Sequence, residues 1–240
     1  PHGPRVFSID EVNSMIGSGS KVVKIGEGGF GVVYRGLLDG TTAVAVKFLK
    51  DEKRQEACMN NEALTLCDVA MSREIDILSK FNHPNIVKLI GLAKGPECRR
   101  ALVFELCTDG TLQEALVAVV SRELTVAWLL SVAVGVARGL VHMHGIADDQ
   151  APAASASSGV VLHRDVKSAN VGLCGAQAKL IDCGSSRRYD QDPNASFSLM
   201  SFTGNALGTV GYIANEVSNG DGYGIPSEIY SFDVVLLEIL

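Results

Sequence analysis

His163-Arg164-Asp165-Val166-Lys167-Ser168-Ala169-Asn170 sets a carboxylate, a cation and a carboxamide on one short stretch. Asp165 can accept the proton of an attacking hydroxyl, Lys167 can neutralise charge on a moving phosphoryl group, and Asn170 can hold a metal ion through its side-chain oxygen. That trio suits phosphoryl transfer to a hydroxyl. Eight residues alone could arise by coincidence, so the sequence on either side decides.

Upstream, Gly26-Glu27-Gly28-Gly29-Phe30-Gly31 carries the spacing G-x-G-x-x-G. In a dinucleotide-binding turn a helix follows such glycines. Here Val32, Val33 and Tyr34 follow, and they favour a strand. Glycines between two strands make a hairpin whose backbone N–H groups can approach phosphate oxygens closely. Val44-Ala45-Val46-Lys47 comes next, and a lysine ending an apolar strand is costly to bury unless it meets anions. Phosphates and the carboxylate of Glu74, on the next helical stretch, are the candidates. Downstream, Lys179-Leu180-Ile181-Asp182-Cys183-Gly184 places a carboxylate at the end of a short apolar strand, where it could bind Mg²⁺ together with Asn170. Taken singly, a Gly-rich hairpin, a surface lysine with its stem along the sheet and a strand-ending turn explain each feature without any chemistry.

Between these motifs the pattern changes character. Residues 1–20 read as a polar lead-in with one small apolar group (Val6, Phe7, Ile9, Val12). Residues 22–25, 31–34 and 43–48 are β-type runs, with Leu38–Thr41 as the turn between the last two. Helix-forming residues fill 51–81, with Ala70, Ile75, Ile77, Leu78 and Phe81 at helical spacing and a stop at Asn82-His83-Pro84. Strands are expected over 86–92 and 100–106, and helices over 112–120 and 126–144. The predicted fold class is therefore α+β in two lobes: a lead-in over 1–20, a small β-rich lobe with one helix over 21–107, and a mostly helical lobe over 108–240. Residues 145–159 and 182–209 read as loops, the second long enough to suggest function.

Composition narrows the classes further. The chain has 240 residues, is 47% hydrophobic and carries a formal charge of -6 with a pI near 5.4. That balance argues against a nucleic-acid surface, which needs a basic surplus. The longest apolar run, Val126 to Ala137, is shorter than the ~20 residues of a bilayer span, so a core helix is expected and no membrane segment within this chain. The six cysteines include no C-x-x-C pair, which favours reduced thiols in a cytoplasmic compartment. His142 and His144 stand two apart and point away from each other on a helix, so no metal site is expected there. Pro1 at the start and an unterminated apolar run at the end suggest a fragment.

The motifs in this order resemble those of the eukaryotic protein kinase family, over the whole chain. The likeness is to the plant receptor-like and Pelle-type branch of serine/threonine kinases. It rests on Phe7-Ser8-Ile9-Asp10-Glu11, Gly26 to Gly36, His83 to Gly91, Leu102-Val103-Phe104-Glu105 before Asp109-Gly110-Thr111-Leu112, Ala137 to His144 and Tyr230-Ser231-Phe232. The resemblance implies a two-lobe kinase fold, incomplete at its C-terminus, and ATP-dependent phosphorylation of serine or threonine on protein substrates, at a cytoplasmic location or at the cytoplasmic face of a membrane. It implies ATP and Mg²⁺ as cofactors. Gly26, Glu27, Gly28 and Gly31 would line the phosphate flap, with Val33 and Ala45 over the adenine. Lys47 would pair with Glu74 and the α/β-phosphates. Phe104 would sit behind the base, and the backbone of Glu105 and Cys107 would hydrogen-bond it. Asp165 would be the catalytic base, Lys167 would contact the γ-phosphate, and Asn170 and Asp182 would hold Mg²⁺. Gly208-Thr209 before Tyr212 resembles serine/threonine rather than tyrosine kinases. Arg164 implies a phosphate acceptor among Ser196, Ser198, Ser201 and Thr203, with Thr203 ranked first.

Several positions depart from the family pattern. Cys183 stands where Phe is usual, a loss of packing on the order of 3 kcal/mol for such changes. Gly172 replaces the Leu that usually floors the adenine, which weakens nucleotide packing unless Leu173 shifts in. Asn215, Glu228 and Asp233 replace Pro, Asp and Gly. These changes bear on the frame around the chemistry, and they motivate an alternative, a pseudokinase that binds nucleotide or acts as a scaffold. A third reading, a truncated product without a stable fold, follows from the missing C-terminal helices.

Overall fold

The computed structural model describes residues 3–28, 31–49, 66–95, 100–118, 124–145, 159–175, 177–190, 208–220 and 222–240. The chain divides into two compact units. The first takes residues up to Asn82 together with Val87–Leu106, the second His83–Ile86 together with Cys107–Leu240.

The first unit is a six-stranded sheet. Its strands are β1 (Arg5–Phe7), β2 (Val23–Gly28), β3 (Gly31–Leu38), β4 (Thr42–Leu49), β5 (Leu89–Lys94) and β6 (Arg100–Glu105), in the spatial order β1-β5-β6-β4-β3-β2. All neighbours are antiparallel except β1, which runs parallel to β5. Two helices accompany it, α1 (Ile9–Ile16) and α2 (Leu66–Leu78). Strand residues alternate faces. Val44, Val46, Ala101 and Val103 join Phe7, Ile9, Val12 and Ala93 in one buried cluster. The lead-in is thus part of the core. Ser8 caps α1 by accepting the Glu11 N–H while Glu11 Oε2 accepts the Ser8 N–H, a reciprocal box that fixes where the helix begins. Gly91 makes room for β1, because a Cβ there would lie 2.3 Å from the Arg5 carbonyl oxygen.

The second unit is mostly helical, with α3 (Leu112–Val117), α4 (Val126–Met143), α5 (Asn215–Ser218) and α6 (Ile225–Ile239), plus the short ribbons β7 (Gly159–Leu162) with β10 (Arg187–Asp190), and β8 (Val171–Cys174) with β9 (Gln177–Leu180). Helix α4 is long and apolar enough to cross a membrane by length and composition. Its buried residues Val132, Gly135, Val136, Gly139, Leu140 and Met143 form one face. Gly135 and Gly139 let Asn85 and β9 approach closely: a Cβ at Gly135 would lie 2.9 Å from Asn85 Nδ2 and 3.2 Å from Ala178 Cβ, and one at Gly139 2.8 Å from the Asn85 carbonyl oxygen and 2.9 Å from Leu180 Cδ1.

Several boundaries differ from the sequence expectations. Helix α2 ends at Leu78 because Lys80 and Phe81 bond back only three residues, to Ile77 and Leu78, tightening the last turn. Residues 51–65 of that expected helix lie outside the described residues, as do 119–120 of the next. Ile86, expected in a strand, instead makes a single bridge with Leu180. Arg187–Asp190, read as loop, pairs with β7.

Candidate active site

In the first unit the strand register places Val33 opposite Lys47, and Ala45 opposite Phe104. These four residues share the sheet face opposite to that of Val44 and Val46. Lys47 and Glu74 are both buried, and Lys47 Nζ donates to both Glu74 carboxylate oxygens, at 3.3 and 3.2 Å. The cost of burying the lysine is met by that carboxylate. Gly26 pairs with Val33 and Gly28 with Gly31 across the hairpin, while Gly29 and Phe30 lie outside the described residues. The glycines differ in what demands them. A Cβ on Gly31 would stand 2.3 Å from the Phe48 carbonyl oxygen, so packing requires that glycine, whereas a Cβ on Gly28 would meet nothing within 4 Å among the described residues. Glu27 is paired with Lys24 on the same strand. Glu105 is tied at the end of β6: its N–H donates to the Lys88 carbonyl at 3.1 Å, and its side chain accepts the Lys88 N–H at 2.8 Å.

In the second unit the loop after β7 closes on itself. Lys167 Nζ lies 2.8 Å from Asp165 Oδ2 and donates to Thr209 Oγ1 at 2.7 Å, while Thr209 Oγ1 donates to Asp165 Oδ1 at 2.8 Å. Asn170 Nδ2 donates to Asp165 Oδ2 and to the Asp165 carbonyl, both at 2.8 Å. A carboxylate has about four lone-pair sites. Three are filled here, leaving one on Oδ1. Lys167 likewise keeps one N–H beyond the two it donates.

Ile181 joins this loop to Asp182. Its N–H donates to the Asn170 carbonyl at 3.0 Å, and its carbonyl lies 3.0 Å from His163 Nε2. A carbonyl only accepts, so Nε2 carries the hydrogen and Nδ1 is left to accept the Asp165 N–H at 3.4 Å. Arg164 and Asp182 have φ of 69° and 60°, two of the three non-glycine residues with positive φ among those described. Left-handed backbone of this kind costs on the order of 1 kcal/mol or more and persists where surrounding bonds over-determine it.

Glu228 is one of those surroundings. It is fully buried, accepts the Arg164 N–H at 2.7 Å and the Tyr223 hydroxyl at 3.3 Å on Oε1, and meets His144 Nε2 at 2.7 Å on Oε2. The substitution of Glu for the usual Asp therefore leaves the loop anchored. Burial, followed by the charge of Glu228, pushes the Tyr223 phenol well above the ordinary tyrosine range. Arg164 lies 5.6 Å from the centre of the Tyr223 ring. Ser168 and Tyr212 both donate to Glu238 Oε1, at 3.1 and 2.6 Å, tying the far side of the loop to α6. Desolvation and then the bond to Glu238 raise the Tyr212 phenol. Sequence reasoning noted Thr209 only as a mark of substrate type and gave no role to Glu238, Tyr223 or His144. The position of Gly208-Thr209 before Tyr212 was the one available signal.

Among the described residues no group of three or more His, Cys, Asp or Glu could hold a metal by itself. A Mg²⁺ ion carried with nucleotide phosphates needs only one or two protein ligands. Both Nδ2 bonds of Asn170 point at Asp165, which turns its Oδ1 away and leaves it able to act as a ligand. The residues therefore fit that group. Ser196, Ser198, Ser201 and Thr203 lie outside the described residues.

Comparison with known proteins shows the family. The protein kinase domain family matches residues 20–240. Relatives in Arabidopsis thaliana include calmodulin-binding receptor-like cytoplasmic kinase 3, 33% identical over 240 residues, covering 99% of this chain and 42% of the relative. The probable serine/threonine-protein kinase PBL28 is 33% identical over 242 residues, covering 99% and 58%. The receptor-like serine/threonine-protein kinase NCRK is 35% identical over 239 residues, covering 98% and 38%. The chain thus spans about two fifths to three fifths of these relatives' length. The chain belongs to the protein kinase domain family, in its plant receptor-like, Pelle-type branch.

Proposed function

We propose that this chain carries the catalytic domain of a serine/threonine protein kinase, which moves the γ-phosphoryl group of ATP to a hydroxyl on a protein substrate at the cytoplasmic side of the cell. The observation that carries this reading is the closed triangle of Asp165, Lys167 and Thr209, with Asn170 bonded to the same carboxylate. Its three donors hold Asp165 so that the remaining Oδ1 lone pair faces an incoming hydroxyl. Asp165 then orients that hydroxyl and takes its proton. The spare N–H of Lys167 is the natural donor to an oxygen of the transferring group, where negative charge must be stabilised.

Asn170 Oδ1 and Asp182 would hold Mg²⁺, which supplies charge neutralisation on the phosphates. Lys47, fixed by Glu74, would bind the α/β-phosphates. Gly26, Glu27, Gly28 and Gly31 would form the phosphate flap. Gly28 supports this, because no contact with the described residues requires a glycine there. Val33, Ala45 and Phe104 would line the base, with the backbone of Glu105 and Cys107 bonding its edge. The anchoring by Glu228 supports a transferring enzyme over a scaffold.

The test is phosphoryl transfer to a generic protein substrate with Mg-ATP, comparing the full protein with its Asp165→Asn variant. Asn keeps the shape and loses the base, so transfer should fall at least a hundredfold, the usual scale for general-base loss. Equal transfer by both proteins overturns the reading. A rise in melting temperature with Mg-ATP but no transfer points to a nucleotide-binding pseudokinase instead.

A further inference from the structure

Gly172 stands in β8, two residues beyond Asn170, and is buried. A Cβ built there would lie 2.4 Å from Cys107 Sγ, 2.9 Å from Cys107 Cβ and 3.1 Å from Ile181 Cγ2. Gly172 has no positive φ, so conformational freedom is not what a glycine supplies here. Space is. The Cys107 side chain occupies the volume that a residue 172 side chain would take.

The surrounding backbone keeps it so. Leu173 N–H donates to the Gly110 carbonyl at 2.9 Å, Asp109 N–H donates to the Leu173 carbonyl at 3.0 Å, and Thr111 bridges to Gly172. The segment 107–111 and strand β8 are thereby stitched together on both sides of the contact. Leu173 cannot replace the missing side chain, because it is fully buried and the next residue along a strand faces the opposite way.

We propose that Cys107 and Gly172 work as one element in which the Cys107 thiol, and not a side chain from β8, is the surface on which the purine base of the bound nucleotide rests. Cys107 is then a specificity-determining residue. This deepens the nucleotide reading above and rests on it: the backbone of Cys107 marks the base end of the nucleotide and Asn170 its metal end, and Gly172, two residues beyond Asn170 on β8, packs directly against Cys107. Sulfur is polarisable and makes favourable contacts with aromatic rings. A half-buried thiol pressed against glycine gives a base a flat, soft floor, and a branched side chain at either position would have to displace the other.

Two measurements on the full chain decide it. In the first, calorimetry with the non-hydrolysable imido analogue of ATP and Mg²⁺ compares the wild type with Cys107→Ala, Gly172→Leu and the double variant Cys107→Ala/Gly172→Leu. Cys107→Ala should weaken binding about tenfold, the equivalent of one lost apolar contact surface. Gly172→Leu should weaken it more, and the double variant should bind better than Gly172→Leu alone, because the smaller residue 107 makes room. In the second, iodoacetamide labelling is mapped by mass spectrometry. The Cys107 thiolate displaces iodide, forming a sulfur–carbon bond and leaving its proton in solvent. Mg-nucleotide should slow labelling of Cys107 at least fivefold and leave half-buried Cys174 unchanged. If Gly172→Leu does not fold, Cys107→Ala and the labelling still give the answer. Unchanged affinity in Cys107→Ala, or labelling of Cys107 that nucleotide does not slow, overturns the proposal while the nucleotide reading stands. Failure of the well-folded wild type to bind the analogue overturns both.

Discussion

At the scale of single residues, the question is what aims Asp165. Thr209 is the least expected of its partners and is 44 residues away in sequence, yet it bonds both Asp165 and Lys167. A hydrogen bond to a charged group contributes about 1.5–3 kcal/mol. Thr209→Val keeps the shape and removes the hydroxyl, so kcat should fall between about tenfold and a hundredfold, with KM for ATP little changed. Thr209→Ser restores the hydroxyl and should recover most of the rate. A Val variant with wild-type kcat would show that the triangle is ornamental. Tyr223 offers a pH test of the Glu228 anchor. Its phenol is raised in the folded state, so its contribution to stability is complete below the unfolded tyrosine pKa of about 10 and is lost as pH rises above that value. Between about pH 9 and about pH 11 the wild type should therefore lose more of its urea midpoint than Tyr223→Phe, which has no proton to give up. Asp165, Lys167, Asn170 and Lys47 were legible in the sequence because each sits in a short motif whose residue types have few other uses. The bonds of Thr209, His144 and Tyr223 were not, because tertiary folding alone brings these residues to their partners; Gly208-Thr209 before Tyr212 marks the substrate type and not the contact with Asp165.

At the scale of elements, two glycines in α4 show how packing overrides helix propensity. Replacing Gly by Ala in a helix interior ordinarily stabilises by about 1 kcal/mol. At Gly139 the new Cβ would lie 2.8 Å from the Asn85 carbonyl oxygen and 2.9 Å from Leu180 Cδ1, so the carbonyl and β9 must move. Overpacking of that kind costs about 1–3 kcal/mol. The second effect wins, and Gly139→Ala should lower the unfolding free energy by about 1 kcal/mol net, read as a lower urea midpoint at unchanged slope. A higher midpoint would mean that β9 shifts freely. The hairpin β3–β4 was legible because β-branched residues flank a turn sequence, and α4 because its apolar run outlasts any strand. The ribbons β7–β10 and β8–β9 are only four residues per strand, too short for alternation to register. Strand β1 is three residues and needed Gly91, distant in sequence, to accept it.

At the scale of the whole molecule, the residues assigned to the nucleotide are distributed over both compact units, with Lys47 and Glu74 in the first and Asp165, Asn170 and Asp182 in the second. Neither unit holds a metal-binding cluster of its own among the described residues. A nucleotide held by these residues should stabilise the folded chain by mass action, about 2.7 kcal/mol at a concentration one hundred times its Kd. For a chain of this length about 1 kcal/mol corresponds to 2–4 °C, so Mg-ATP should raise the melting temperature by roughly 5–10 °C. Chelating Mg²⁺ with EDTA should remove most of that shift, since the phosphates would then meet Asp182 without a cation between them. Lys47→Met and Asn170→Ala should each reduce the shift by more than half, read against each variant's own unliganded melting temperature, which for Lys47→Met falls because Glu74 is left buried without its partner. If either variant keeps the full shift, the role assigned to its residue falls.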